Sequence, residues 1–140
     1  MASSARTAVI KGLSRLSKYA ASPDISDDAG ENTLSTADGA RLLAELSEGR
    51  LLNQEHTEQL LSYMQDTNDE DLIPAAVPDT VTVFHKYGLL DDELHDAAIL
   101  SSAEGSYVLV VYTKGADLSD VPQRTAVIHE ITEAVTAALF

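Results

Sequence analysis

The sequence predicts an α+β fold: a three-stranded antiparallel sheet, a C-terminal helix packed on it, and a helical hairpin ahead of it. Three observations predict this. Residues Thr80 to Lys114 hold three strand-like runs joined by two short connections. Two helix-start signatures stand upstream, at Ser35 and Asn53. An apolar stripe at helical spacing closes the chain after Pro122. At 140 residues with 44% hydrophobic content, the chain is one domain able to bury a core.

Residues 5–20 are predicted as an amphipathic helix. Val9, Leu13, Leu16 and Ala20 recur at helical spacing, with Lys11, Arg15 and Lys18 on the other side. Residues 21–34 read as a loop rich in Asp, Gly and Asn. Its acidic cluster, Asp24, Asp27, Asp28 and Glu31, lacks the alternating ligand spacing of a calcium loop and reads as solvated. Residues 1–31 are thus a divergent N-terminal helix and acidic loop.

Ser35-Thr36-Ala37-Asp38 resembles a capping box, with Ala40, Leu43, Ala44 and Leu46 on the apolar side of its helix. Gly49 is placed to end that helix in a left-handed cap. Asn53 caps the next helix, whose Thr57, Leu60, Leu61 and Met64 share a face. Residues 35–66 therefore form a helical hairpin. Residues 67–79 form a loop broken by Pro74 and Pro78 and anchored by Leu72, Ile73 and Val77.

Strand one is predicted at Thr80–Lys86, strand two near Leu94–Ser101 and strand three at Tyr107–Thr113. Gly88, Asp91 and Asp92 turn between the first two. The run Val108 to Val111 is apolar on both faces, which predicts a strand covered on both sides. The last helix is predicted to open at Asp120 with Gln123 at capping-box spacing, and to bury Ile128, Ile131, Val135 and Ala138.

Charge narrows the function classes. Asp and Glu number 23 against nine Lys and Arg, a formal net charge of -14. That balance disfavours nucleic acid, whose phosphates need a basic footprint. The absence of Cys excludes disulfides and thiolate chemistry. No apolar run reaches the ~18 residues of a membrane span, and no signal-peptide core is visible at the start. The four histidines, His56, His85, His95 and His129, show no i, i+4 metal pair. His85 and His95 are expected to approach across the first hairpin, near Asp91, Asp92 and Glu93. No metal or other cofactor is expected.

Several segments in register resemble one family. Asn32-Thr33-Leu34-Ser35-Thr36-Ala37-Asp38, followed by Leu42-Leu43, resembles the "NTTTARDLARLL" segment of the penicillin-recognising serine hydrolases. Gly49-Arg50-Leu51-Leu52 resembles the join that follows it, and Ile73-Pro74 and Pro78 keep that family's spacing to the next strand. His85-Lys86-Tyr87-Gly88, with Asp96-Ala97-Ala98, resembles the "HKTG…NDAG" hairpin. The resemblance is to the C-terminal half of class A β-lactamases and D,D-peptidases, and covers residues 32–140.

That family's signature is S-x-x-K, S-D-N and K-T-G. The resemblance implies that the S-x-x-K serine attacks a β-lactam or peptide carbonyl and that the K-T-G lysine helps bind the substrate carboxylate. Lys86, Tyr87 and Gly88 are then the substrate-binding residues. Tyr87 stands in place of Thr or Ser, and its longer phenol is expected to block the cleft rather than serve it. No Ser is followed three places later by Lys, so the catalytic residue is unassigned. Ser4-Ala5-Arg6-Thr7-Ala8 echoes S-D-N-T-A only faintly.

The family pairs N-terminal strands beside its last strand. With residues 5–20 read as a helix, the Tyr107–Thr113 edge would lie open, and an apolar edge invites pairing. It is expected to pair with a second copy, a partner chain or a rearranged segment of this chain. Three functions stay open. One is a truncated or degenerate hydrolase region, silent alone or needing an N-terminal partner half. Another is a protein-interaction module using the open edge. The third is an active hydrolase with another nucleophile, such as Ser4, Ser14 or Ser17. The compartment is left open: the family usually works outside the cytoplasm, and no export signal is visible.

Overall fold

The computed structural model describes residues 4–11, 25–26 and 33–140. Its elements in order are β1 (Ser4–Lys11), β2 (Ile25–Ser26), β3 (Thr33–Leu34), α1 (Thr36–Ser47), α2 (Gln54–Ser62), β4 (Thr82–Leu89), β5 (Glu93–Ser102), β6 (Gly105–Lys114) and α3 (Val121–Leu139). Short 3-10 turns at Ile73–Ala76 and Leu118–Asp120 precede β4 and α3. The α+β class and the antiparallel meander β4-β5-β6 stand as expected.

The sheet has four strands rather than three, in the order β1-β6-β5-β4. The fourth is β1, antiparallel to β6 from Ser4↔Lys114 to Lys11↔Tyr107. This corrects the helix expected over residues 5–20 as far as Lys11; residues 12–20 lie outside the described residues. It also pairs the Tyr107–Thr113 edge with a segment of this chain, one of the three expected ways of covering it. Val108 to Val111 are buried on both faces, and leaving their backbone unpaired would be costly. Within the expected 21–34 loop, β2 and β3 form a short ribbon, Ile25↔Leu34 and Ser26↔Thr33. Asp24, Asp27, Asp28 and Glu31 lie outside the described residues.

Both helix starts of the hairpin form as read. The Ser35 side chain accepts from the Asp38 N–H at 3.0 Å, and Asn53 Oδ1 accepts from the His56 N–H at 2.9 Å. Gly49 has φ 67°, and the Arg50 N–H reaches Glu45 O at 3.0 Å while the Gly49 N–H reaches Leu46 O at 3.0 Å. These paired bonds satisfy the last carbonyls of α1, and glycine takes the left-handed position without a Cβ penalty.

The sheet has a core layer on each side. On one, α1 lays Ala40, Leu43 and Ala44 against Ile99, Val108, Val110 and Tyr112. On the other, α3 and the Ile73–Ala76 turn cover Leu94, Ala98, Leu100, Leu109 and Val111. The buried stripe of α3 is rotated from expectation: Arg124, Ile128, Thr132 and Thr136 are buried, Ile131 and Val135 are half-buried, and Ala138 is exposed. The threonines can sit inside because their hydroxyls donate one turn back, Thr132 to Ile128 O at 2.7 Å and Thr136 to Thr132 O at 2.8 Å. The expected capping box at Asp120 does not form. Its carboxylate instead accepts from the Ala116 N–H at 2.7 Å and pairs with the buried Arg124 guanidinium at 2.6 Å.

Candidate functional site

β4 is the edge strand of the sheet, and it carries His85, Lys86, Tyr87 and Gly88 in one run. A two-residue turn at Asp91-Asp92 sets its register against β5, closed by the Leu90 N–H to Glu93 O bond at 2.9 Å. Gly88, expected in that turn, lies within β4 instead. Residues then alternate between faces. Val83, His85 and Tyr87 turn toward the α3 side, while Phe84 and Lys86 turn toward the α1 side.

Lys86 is exposed, and an open cleft beside it is lined by Tyr63, Asp66, Thr67, Asn68, His85, Lys86 and Tyr87. The lysine folds back along the strand edge. Its ammonium donates to the Tyr87 carbonyl oxygen and lies 4.6 Å from the centre of the Tyr87 ring. Tyr87 is half-buried and packs against the core layer on the α3 side. Gly88 is open: a Cβ built there would meet nothing within 4 Å. The three residues expected to bind substrate thus sit together on one exposed edge.

Beneath Lys86 lies a network that the sequence reading did not assign. His85 is 1% exposed and Asp96 0%. The His85 Nδ1 is 2.8 Å from Asp96 Oδ1, while Asp96 Oδ2 accepts from the Ile73 N–H at 3.0 Å. The His85 Nε2 is 2.9 Å from Thr67 Oγ1 and 3.1 Å from Glu70 Oε1. Burial pulls the His85 pKa down, but the bonds and charges of Asp96 and Glu70 outweigh it and hold it above the ordinary value. For Glu70, burial pushes upward and is outweighed by bonds from Thr67 and His85, so its carboxyl sits below the ordinary value.

His85 and Asp96 are diagonal neighbours, since His85 pairs with Ala98 and Tyr87 with Asp96. The signal was therefore present once the turn was placed at Asp91-Asp92. Glu70 and Thr67 had no such signal, because only the folding of the 67–79 loop brings them near.

The expected approach of His85 and His95 does not occur. His95 stands on the α1 side, stacked on Tyr112 with ring centroids 4.7 Å apart, and its Nε2 lies 3.3 Å from Glu93 Oε2. His85 is on the opposite face. Among the described residues no group of three or more His, Cys, Asp or Glu could hold a metal ion. Of the serines weighed as nucleophiles, Ser4 begins β1, and Ser14 and Ser17 lie outside the described residues.

A family model described as the beta-lactamase enzyme family matches residues 3–139. The chain belongs to that family. Among solved structures, it is similar to PBP-A at 27% identity and a TM-score of 0.72, over 79% of this chain and 41% of that one. A variant of PBP-A, described as an acyl-enzyme complex with penicillin G, matches equally well, at 27% identity over the same 79% and 41% with a TM-score of 0.72. A beta-lactamase from Sphaerobacter thermophilus matches at 27% identity and a TM-score of 0.69, over 78% and 41% of the two chains. The chain spans less than half the length of each of these structures. No curated protein sequence matches it. Among the described residues no helix is long and apolar enough to cross a membrane.

Proposed function

We propose that this chain is a degenerate or partial β-lactamase- or D,D-peptidase-like hydrolase region. It keeps the substrate-carboxylate side of the cleft and is catalytically silent as these 140 residues, or works with an N-terminal partner half that supplies the nucleophile. The observation that carries the reading is Lys86, exposed on an edge strand beside an open cleft, in a chain with no S-x-x-K. A cation on an edge strand beside an open cleft can hold a substrate carboxylate. Acyl transfer, however, needs an activated nucleophile within reach of the bound carbonyl.

Intact mass after incubation with a reactive penicillin tests this, with Lys86→Ala as control. The expected result is no adduct on either folded protein. A stoichiometric adduct on the wild-type chain overturns silence and favours an active hydrolase using one of its own serines. If adduct forms only after adding a separately expressed S-x-x-K-bearing half, the partner-half form of the proposal is supported.

An interaction module is the second reading, now without the β6 edge that first suggested it. It is favoured by Leu51, Leu52, Leu60 and Tyr63, large apolar side chains left exposed on and beside α2.

A further inference from the structure

We propose that His85 is an imidazolium clamp: it ties the Thr67–Glu70 loop to β4, so fixing the width of the Lys86 cleft, and lets that loop go when it loses a proton. The proton count follows from the partners. Asp96 is fully buried and read as ionised, with Oδ2 accepting from the Ile73 N–H and Oδ1 facing His85 Nδ1. Its carboxylate is therefore an acceptor, and Nδ1 must carry a proton. At the other nitrogen, Glu70 Oε1 already receives the Thr67 hydroxyl at 2.7 Å and the Thr67 N–H at 2.6 Å. The hydroxyl lies 2.7 Å from Glu70 Oε1 and 3.4 Å from Asp69 O, and with its one proton given to the nearer, charged oxygen it accepts from His85. Nε2 then donates to both Thr67 and Glu70. A ring that donates from both nitrogens is charged.

Charge near this ring comes from β5, the 67–79 loop and β4. β5 supplies Asp96, and the loop supplies Glu70 with Asp66 farther along the cleft wall. β4 supplies the flanking Lys86 and Tyr87. The Ile73–Ala76 turn has no ionisable side chain. From α3, His129 bonds to Asp71 O at 2.6 Å instead.

The two arms of the clamp differ in what they do on deprotonation. Asp96 is sealed in and keeps the remaining Nδ1 proton. The Glu70 side chain is 44% exposed and would face a bare nitrogen lone pair. It can turn to water at little cost, taking its Thr67 bonds with it. Since Thr67 and Asn68 line the cleft together with Lys86, that part of the lining is freed when the proton leaves.

Nitrogen-resolved NMR of the imidazole rings across neutral pH tests this, read together with backbone amide shifts. The expected result is that both His85 nitrogens are protonated at neutrality and that the amides of Thr67 to Glu70 move in step with its titration. Glu70→Gln, at a partly exposed site, should lower the His85 midpoint, and Thr67→Val should do the same by a smaller shift. A His85 holding one proton at neutrality, loop amides that stay still while it titrates, or a midpoint unmoved in Glu70→Gln would each overturn the proposal. The measurement needs no hydrolase activity, so its failure is distinct from failure of the proposed function.

Discussion

The two faces of the sheet solve the same burial problem with different chemistry. The α1 face closes with aliphatic side chains and the Tyr112 ring. The α3 face also has an aliphatic layer, but it encloses His85, Asp96, Arg124, Thr132 and Thr136. Apolar contacts are non-directional and tolerate rearrangement, whereas buried charges stabilise only when every partner is in place. The aliphatic layer under α1 therefore supplies cohesion that needs no buried charge, with the His95–Glu93 pair beside it. The α3 face fixes where particular strands and loops meet, and it does so directly beneath the edge bearing Lys86.

Asp96→Ala should break this contrast most severely. It removes the buried counter-charge of His85 and leaves the Ile73 N–H without its acceptor. Loss of one partner from such a pair costs about 3–5 kcal/mol, to be read by chemical denaturation. On the other face, Leu43→Ala should cost about 2–5 kcal/mol by cavity formation. Its cost should not change with pH. If the Asp96→Ala cost proves small or equally pH-independent, the distinction between the faces fails.

The pH profile sharpens the comparison further. The His85 pKa is raised above 6.5, so its contribution is fully present below that value and is lost as pH rises through the folded-state value. The Glu70 pKa is lowered from 4.5, so its contribution is present above that value and is lost as pH falls through the folded-state value. Wild-type stability from the clamp should thus be greatest between about pH 4.5 and about pH 6.5. Leu43→Ala should keep this profile, and His85→Gln should flatten its alkaline side.

A smaller effect probes the tightest contact on the α1 face. A Cβ added at Gly39 would lie 2.6 Å from the Tyr112 hydroxyl oxygen. Gly39→Ala should cost about 1–3 kcal/mol through overpacking, and Tyr112→Phe in the same chain should recover much of it. Smallest of all, Lys86→Ala should change stability by no more than about 0.5 kcal/mol, because the ammonium is exposed and meets the carbonyl and ring of its neighbour Tyr87.

What the sequence determined is local or follows from periodicity. Ser35, Gly49 and Asn53 act on backbone within a turn of themselves, so their caps needed no further context. The alternation along β4, β5 and β6 gave the meander, and the Asp91-Asp92 turn implied the register that sets His85 against Asp96. The family motif around Lys86 was equally local. Tertiary structure decided the rest. Residues 4–11 carry side chains compatible with either a helix or a strand, and the unsatisfied edge of β6 selects the strand. Asp120 had a capping box within reach but is taken by Arg124 and the Ala116 N–H. Glu70 and Thr67 join His85 only because the loop anchored by Leu72 and Ile73 returns across the end of β4. For β6 and for His85 the partner came from residues distant in the chain, and that choice rests on desolvation, which no short window of sequence contains; at Asp120 the buried Arg124 guanidinium, one turn on, competed with the cap.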